Sequence, residues 1–157
     1  ELARARHGRE IERKFLVRDD RWHAQSAGSQ GWLSAKAMQP GPARAEFEYA
    51  VPAAEAKAML AAFAEGPVIE KQRHRVRAGR HCFELDEFRG ANQGLVIAEI
   101  ELVAADEEFP RPPWLGDEVT DDERFYNFRL ATAPFWSWPA PARASVATGR
   151  APPGAGA

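Results

Sequence analysis

The stretch Glu10-Ile11-Glu12-Arg13-Lys14-Phe15-Leu16-Val17 decides how this chain is read. Alternate residues of an extended strand face one way, so Glu10, Glu12 and Lys14 share a face while Ile11, Arg13 and Phe15 take the other. The two carboxylates then stand about 7 Å apart. Their repulsion is roughly 0.6 kcal/mol in water and about 2–3 kcal/mol at an effective dielectric near 20. A solvated edge strand tolerates that repulsion. An enclosed site needs cations to offset it.

The same spacing recurs along the chain. Glu46 and Glu48 repeat it in Ala45-Glu46-Phe47-Glu48-Tyr49, and Glu99 and Glu101 in Ile97-Ala98-Glu99-Ile100-Glu101-Leu102. Lys71, Arg73 and Arg75 form the cationic counterpart in Ile69-Glu70-Lys71-Gln72-Arg73-His74-Arg75-Val76. Solvated outer faces mix signs and include Thr, Ser and Gln. Several strands with like-signed faces instead predict a shared polar interior. Acidic and basic strands together suit a lined cavity for a polyanion and its metal ions.

Composition narrows the classes. A chain of 157 residues can bury one core. Its 21 basic and 23 acidic side chains leave a net charge of −2, which lacks the basic excess of a dedicated nucleic-acid binder. The single cysteine, Cys82, cannot close an internal disulfide, and its expected role is packing. No apolar run reaches membrane-spanning length and no signal-peptide core is visible, so the expectation is a cytoplasmic protein with no membrane and no nucleic-acid partner.

Periodicity and breakers predict strands over 9–18, 32–38, 44–51, 68–77, 81–88 and 95–103. Loops are expected at 24–31, Pro40–Pro42, Gly79-Arg80 and Gly90–Gly94, and an irregular connector at 109–116. Pro52 opens an alanine-rich helix over 53–64 whose Met59, Leu60 and Phe63 form an expected core stripe. A second helix, capped by Thr120 or Asp121, should bury Phe125, Phe128 and Leu130. Trp136 and Trp138 are placed over one end of the sheet. Residues 1–138 read as one domain, and 139–157, rich in Ala, Pro and Gly, as a disordered tail. The fold class is α+β: an antiparallel sheet or barrel with two or more flanking helices.

Taken together these residues resemble the CYTH domain, the triphosphate tunnel metalloenzyme family. The motif Glu10-Ile11-Glu12-Arg13-Lys14 carries the likeness. Leu33-Ser34-Ala35-Lys36, Glu46-Phe47-Glu48-Tyr49, Ile69-Glu70-Lys71-Gln72-Arg73, Leu85-Asp86-Glu87-Phe88, Ala98-Glu99-Ile100-Glu101 and Gly116-Asp117-Glu118-Val119-Thr120-Asp121 support it. The resemblance implies an antiparallel tunnel barrel and metal-dependent work on triphosphates. It makes Glu10, Glu12, Glu48, Glu99 and Glu101 holders of Mg²⁺ or Mn²⁺, with Glu46 and Asp86 as further interior carboxylates, and Glu10, Glu12, Glu99, Glu101 and Lys36 the catalytic set. It makes Lys14, Lys36, Lys71 and Arg73 the cations that grip phosphate, with Arg75 beside them. Lys36 and Asp86 rest mainly on the resemblance.

One part of the family pattern is missing. The hairpin bearing an Arg-x-Arg pair should lie between Trp22 and Trp32, and no arginine occurs from 23 to 43. Two strands, roughly twenty to thirty residues, are therefore expected to be absent and the barrel to be open or incomplete, with exposed edges and room for a homodimer. The expected activity is hydrolysis of a small triphosphate. Cyclisation of ATP, as in class IV-type adenylate cyclases, and polyphosphate or nucleotide binding without turnover are the alternatives.

Overall fold

The computed structural model describes residues 6–18, 31–36, 43–64 and 66–154. Among these residues seven strands form one antiparallel sheet: β1 (Arg6–Val17), β2 (Gly31–Lys36), β3 (Ala43–Val51), β4 (Lys71–Ala78), β5 (His81–Phe88), β6 (Val96–Glu101) and β7 (Leu115–Glu118). Their order is β2-β3-β1-β6-β5-β4, and β7 pairs with β1 off this path. Helices α1 (Ala53–Phe63), α2 (Asn127–Thr132) and α3 (Ala140–Ala147) complete an α+β architecture. Among the described residues no pairing joins β2 to β4, so the sheet is not closed into a barrel. The expected loops at 24–30 and Pro40–Pro42 and the interval of the missing hairpin lie outside the described residues.

β1 is long enough to serve three partners. Arg6–Ile11 pair with β3, Glu12–Leu16 with β6, and Phe15 and Val17 with β7 across an irregular register. The alternation read from the sequence holds. Phe15 and Val17 enter a core on the back of the sheet with Val76, Phe83, Leu85, Ala98, Ile100, Leu102, Trp114 and Leu115. The front rows begin with charge and end apolar: Glu12-Lys14-Leu16 on β1, Glu101-Glu99-Ile97 on β6, Glu84-Asp86-Phe88 on β5. Leu16, Ile97 and Phe88 join a second core with Leu95, Val119, Phe125, Leu130, Phe135 and Val146. Hydrophobic burial thus closes one end of the charged face.

Several expectations need correction. Helix α1 buries no residue, and Leu60 and Phe63 are 52% and 77% exposed. Small residues make its contact instead: a Cβ on Gly31 would stand 2.7 Å from the Ala56 Cβ. Thr120 and Asp121 are not helix caps; the Asp122 side chain caps the turn at Glu123–Phe125 by accepting from Arg124 N. Phe125 and Leu130 are buried as expected, but Phe128 is exposed. The connector ends in β7, too short to carry a periodic signal. Cys82 is exposed on β5 rather than packed.

The expected disordered tail is ordered through residue 154. Alanines with high helix propensity follow Pro139 and form α3, whose Val146 is buried in the second core. Gly149 then turns with φ +71° and passes against Gly116, where its carbonyl accepts from Asp117 N at 2.8 Å. A Cβ on Gly116 would also stand 2.7 Å from Leu16 O, so only glycine permits this crossing. Arg124 donates to the carbonyls of Pro152 and Pro153 at 3.2 and 3.1 Å. Val146→Ala is expected to cost about 1–2 kcal/mol, read as a lower urea midpoint at unchanged slope; no shift would return this segment to a disordered tail.

Candidate functional site

The charged front face is assembled from β1, β6, β5 and β4, strands whose register places like rows side by side. Glu12 stands opposite Glu101, Lys14 opposite Glu99, Glu99 opposite Glu84, and Asp86 opposite Arg73. Backbone geometry brings the first two pairs close. The Ile11 carbonyl accepts from Leu102 N, whereas the Lys14 carbonyl accepts from Val119 N, away from β6. Glu12–Glu101 and Lys14–Glu99 are therefore non-hydrogen-bonded pairs, the class with Cα atoms about 4.5 Å apart and side chains nearest.

A continuous ion network results. Lys14 Nζ donates to Glu12 Oε1 at 2.7 Å and also to Glu99 Oε1. Arg73 spans three carboxylates: Nε and one terminal nitrogen grip Asp86 at 2.7 Å each, and further bonds reach Glu99 at 2.8 Å and Glu84 at 2.6 Å. Lys71 Nζ donates to Asp86 and lies 5.5 Å from the centre of the Phe88 ring. Arg75 donates to Glu84 at 3.0 Å. Asp86 is only 1% exposed and Glu99 8%, so both depend on these cations.

The charges hold one another ionised. Burial would raise the pKa of Glu99, but Lys14, Lys71 and Arg73 outweigh it and bring the value down to about 2. Burial likewise opposes the charge of Lys14, and Glu99 and Glu12 overcome it, leaving the ammonium harder to deprotonate than a free lysine. Arg73 is raised in the same way, with burial opposed by Asp86, Glu99 and Glu84.

The expected residues divide into two groups. Glu12, Lys14, Lys71, Arg73, Asp86 and Glu99 meet in the network, with Glu101 at its rim and Arg75 reaching it through Glu84. Glu48 lies opposite Arg6, six residues along β1 from Glu12, or roughly 20 Å. Glu10 stands opposite Arg44, and Glu46 opposite Gly8 and Lys36; the side chains of Glu10, Glu46 and Lys36 are outside the described ones. Glu84 was missed, although Glu84-Leu85-Asp86 shows the same i, i+2 carboxylate spacing.

Glu118 and Thr120 were also missed as site residues. Lys14 N donates to Thr120 Oγ1 at 3.1 Å, and that hydroxyl donates to Glu118 Oε1 at 2.7 Å. Arg13 Nε donates to the same oxygen at 2.7 Å and its fork closes on Glu118 Oε2. The Arg13 hydrogen bond, against some burial, lowers the pKa of Glu118. No periodicity in the sequence points to this contact.

Among the described residues no group of three or more His, Cys, Asp or Glu is arranged to hold a metal ion. Glu12 and Glu101 are nonetheless directly opposed on neighbouring strands, and both are carboxylates with hard oxygens. That suits Mg²⁺, which commonly takes one or two carboxylates and completes its shell with water and substrate phosphate. No described helix is long and apolar enough to cross a membrane.

No family model matches the chain. An inorganic triphosphatase of Acetivibrio thermocellus is 37% identical over 150 aligned residues, covering 82% of this chain and 96% of that protein. An inorganic triphosphatase of Nitrosomonas europaea is 32% identical over 147, covering 78% and 96%. A crystal structure of an inorganic triphosphatase aligns with a TM-score of 0.49 and 27% identity, over 83% of this chain and 99% of that one. In the first alignment 82% of 157 residues is about 129, against 150 positions, so roughly twenty positions of the relative have no counterpart here.

Glu99 sets the acid limit of the network. Its folded pKa, about 2, lies below its ordinary 4.5, so its stabilising contribution is complete above about pH 5 and is lost as pH falls toward 2. The stability gap between the wild type and Glu99→Gln, measured by urea unfolding, should be constant from pH 7 to 5 and narrow steadily below pH 4.5. A gap independent of pH would mean that Glu99 is not held by these cations.

Proposed function

The chain belongs to the inorganic triphosphatase family, and from that premise we propose that it hydrolyses inorganic triphosphate on the charged front face, as a tunnel-metalloenzyme relative of CYTH type, with Mg²⁺ or Mn²⁺. The observation that carries this reading is the convergence of Lys14, Lys71 and Arg73 with Glu12, Glu99 and Glu101 on one sheet face. A triphosphate is a linear polyanion, and a row of cations is its natural complement. The metal, held by Glu12 and Glu101, would neutralise charge on the phosphate oxygens.

The chain's own residues divide the remaining work. Lys14, Lys71 and Arg73 exchange carboxylate partners for phosphate oxygens and hold the chain in line. Of these three, Arg73, 42% exposed along its side chain, is the most open to an incoming phosphate. Its planar fork suits tetrahedral oxyanions. Water adds to the terminal phosphorus while the bridging P–O bond breaks, giving phosphate and pyrophosphate. The cations stabilise the charge that develops on the leaving oxygen, the dominant need in phosphoryl transfer. Glu12 and Glu101 orient the attacking water.

One observation favours a second reading, polyphosphate binding without turnover: about twenty aligned positions of the relative are missing here. The two readings part in one assay. Phosphate release from tripolyphosphate should require Mg²⁺ or Mn²⁺, and Glu12→Gln combined with Glu101→Gln should lower kcat/KM by about a hundredfold or more while the chain stays folded. Tripolyphosphate binding with no phosphate released establishes the binding module instead, and cyclic AMP formed from ATP establishes a cyclase.

A further inference from the structure

Where β1 passes from one partner to the next its ladder has a gap. Pairing with β3 ends at Ile11–Ala43, and pairing with β7 begins at Phe15–Glu118. The peptide groups of Lys14 point into the interval. Its carbonyl is met by Val119 N at 2.8 Å, but its N–H meets a side chain, Thr120 Oγ1, at 3.1 Å. Thr120 is buried, and its own carbonyl accepts from the Tyr126 hydroxyl at 3.0 Å, beside Phe125 of the second core.

The hydroxyl has one orientation available. Accepting from Lys14 N, it sends its proton to Glu118 Oε1 at 2.7 Å. Glu118 is fixed in turn by both arms of Arg13, and the Arg13 guanidinium lies 5.4 Å from the Phe15 ring centre and 5.1 Å from that of Phe109. Arg13 and Lys14 are consecutive, so the relay starts at the Lys14 backbone and ends at the side chain of the residue before it. Hydrogen bonds aligned in this way polarise one another.

Resting on the reading of Lys14 as a phosphate-gripping cation, we infer that Thr120, braced by Glu118 and Arg13, is a positioning residue that fixes the Lys14 backbone and so the reach of its ammonium. Thr120 contacts Lys14 N, Glu118 and the Tyr126 hydroxyl. Its effect passes through Lys14, whose long side chain magnifies a small backbone shift. Lys71 and Arg73 sit on β4, away from the relay, and hold ground-state binding without it.

Thr120→Val keeps the shape and removes the hydroxyl; Thr120→Ser keeps the hydroxyl. Amide exchange at Lys14, followed by NMR, should accelerate at least about tenfold in Thr120→Val relative to β5 and β6 amides, and stay near wild type in Thr120→Ser. With tripolyphosphate and Mg²⁺, kcat should fall about tenfold to a hundredfold in Thr120→Val, the scale of a displacement near 1 Å, with KM changed less than about threefold. Glu118→Ala, at the exposed end of β7, should shift both readouts in the same direction by less, and stands in if Thr120→Val does not fold. Unchanged exchange, unchanged kcat, or protection lost evenly across all strands would each overturn the assignment. A wild type without triphosphate turnover would defeat the proposed function instead, and the Lys14 exchange rate would then decide the positioning role alone.

Discussion

The contact of Glu99 with Lys14 and Arg73 governs the rest of this structure. A carboxylate this deeply buried costs several kcal/mol unless cations and hydrogen bonds compensate. Its partners come from β1 and β4, the strands on either side of the β5–β6 pair. A one-residue slip in either register would turn Lys14 or Arg73 to the apolar back, where Phe15, Phe83 and Ile100 pack. The charges that suit the face to a polyanion are therefore also those that specify how the strands align.

That dual role explains a face crowded with both signs. A face lined only with cations would repel itself, and one lined only with carboxylates would protonate. Here each charge is satisfied within the chain: Asp86 by Lys71 and Arg73, Glu12 by Lys14. On the proposed function, a metal ion and a polyphosphate arrive as a second complementary pair, and the network exchanges partners. On that reading the cations would pass from carboxylate to phosphate, and Glu12 and Glu101 would hold the metal. No charge need become buried and unpaired during that exchange, which is the arrangement that binding in a partly desolvated site requires.

Much of this was legible because strand alternation has a fixed period. The i, i+2 rows at Glu12-Lys14, Lys71-Arg73 and Glu99-Glu101 share a face because an antiparallel ladder sets opposed residues side by side. Errors arose where period carries no information. Leu60 and Phe63 fall at helical spacing, yet α1 docks through Ala56 on Gly31, and a hydrophobic stripe does not reveal what faces it. The Ala-rich end looked too poor in apolar groups to order, but one valine and two close-approaching glycines suffice when a core already waits for them. The Thr120 contact was illegible for another reason. It joins residues 106 apart through a single hydroxyl at a break in the ladder.

The openness of the sheet bears on how strongly the face can act. β2 and β4 end the strand path, and β4 carries Lys71, Arg73 and Arg75 on that outer edge. Roughly twenty aligned positions lack counterparts here, about the length of two short strands with their turn. Interactions between charges grow as the surroundings lose water. With β4 at the edge, Arg73 stays partly exposed, at 42% of its side chain, while Lys14 and Asp86, deeper in the sheet, are far more enclosed. The strongest electrostatic contribution to any phosphate chemistry must then come from the β1 side of the face. This places the greater demand on Lys14, the residue whose backbone is held by a side-chain hydroxyl as well as by the ladder.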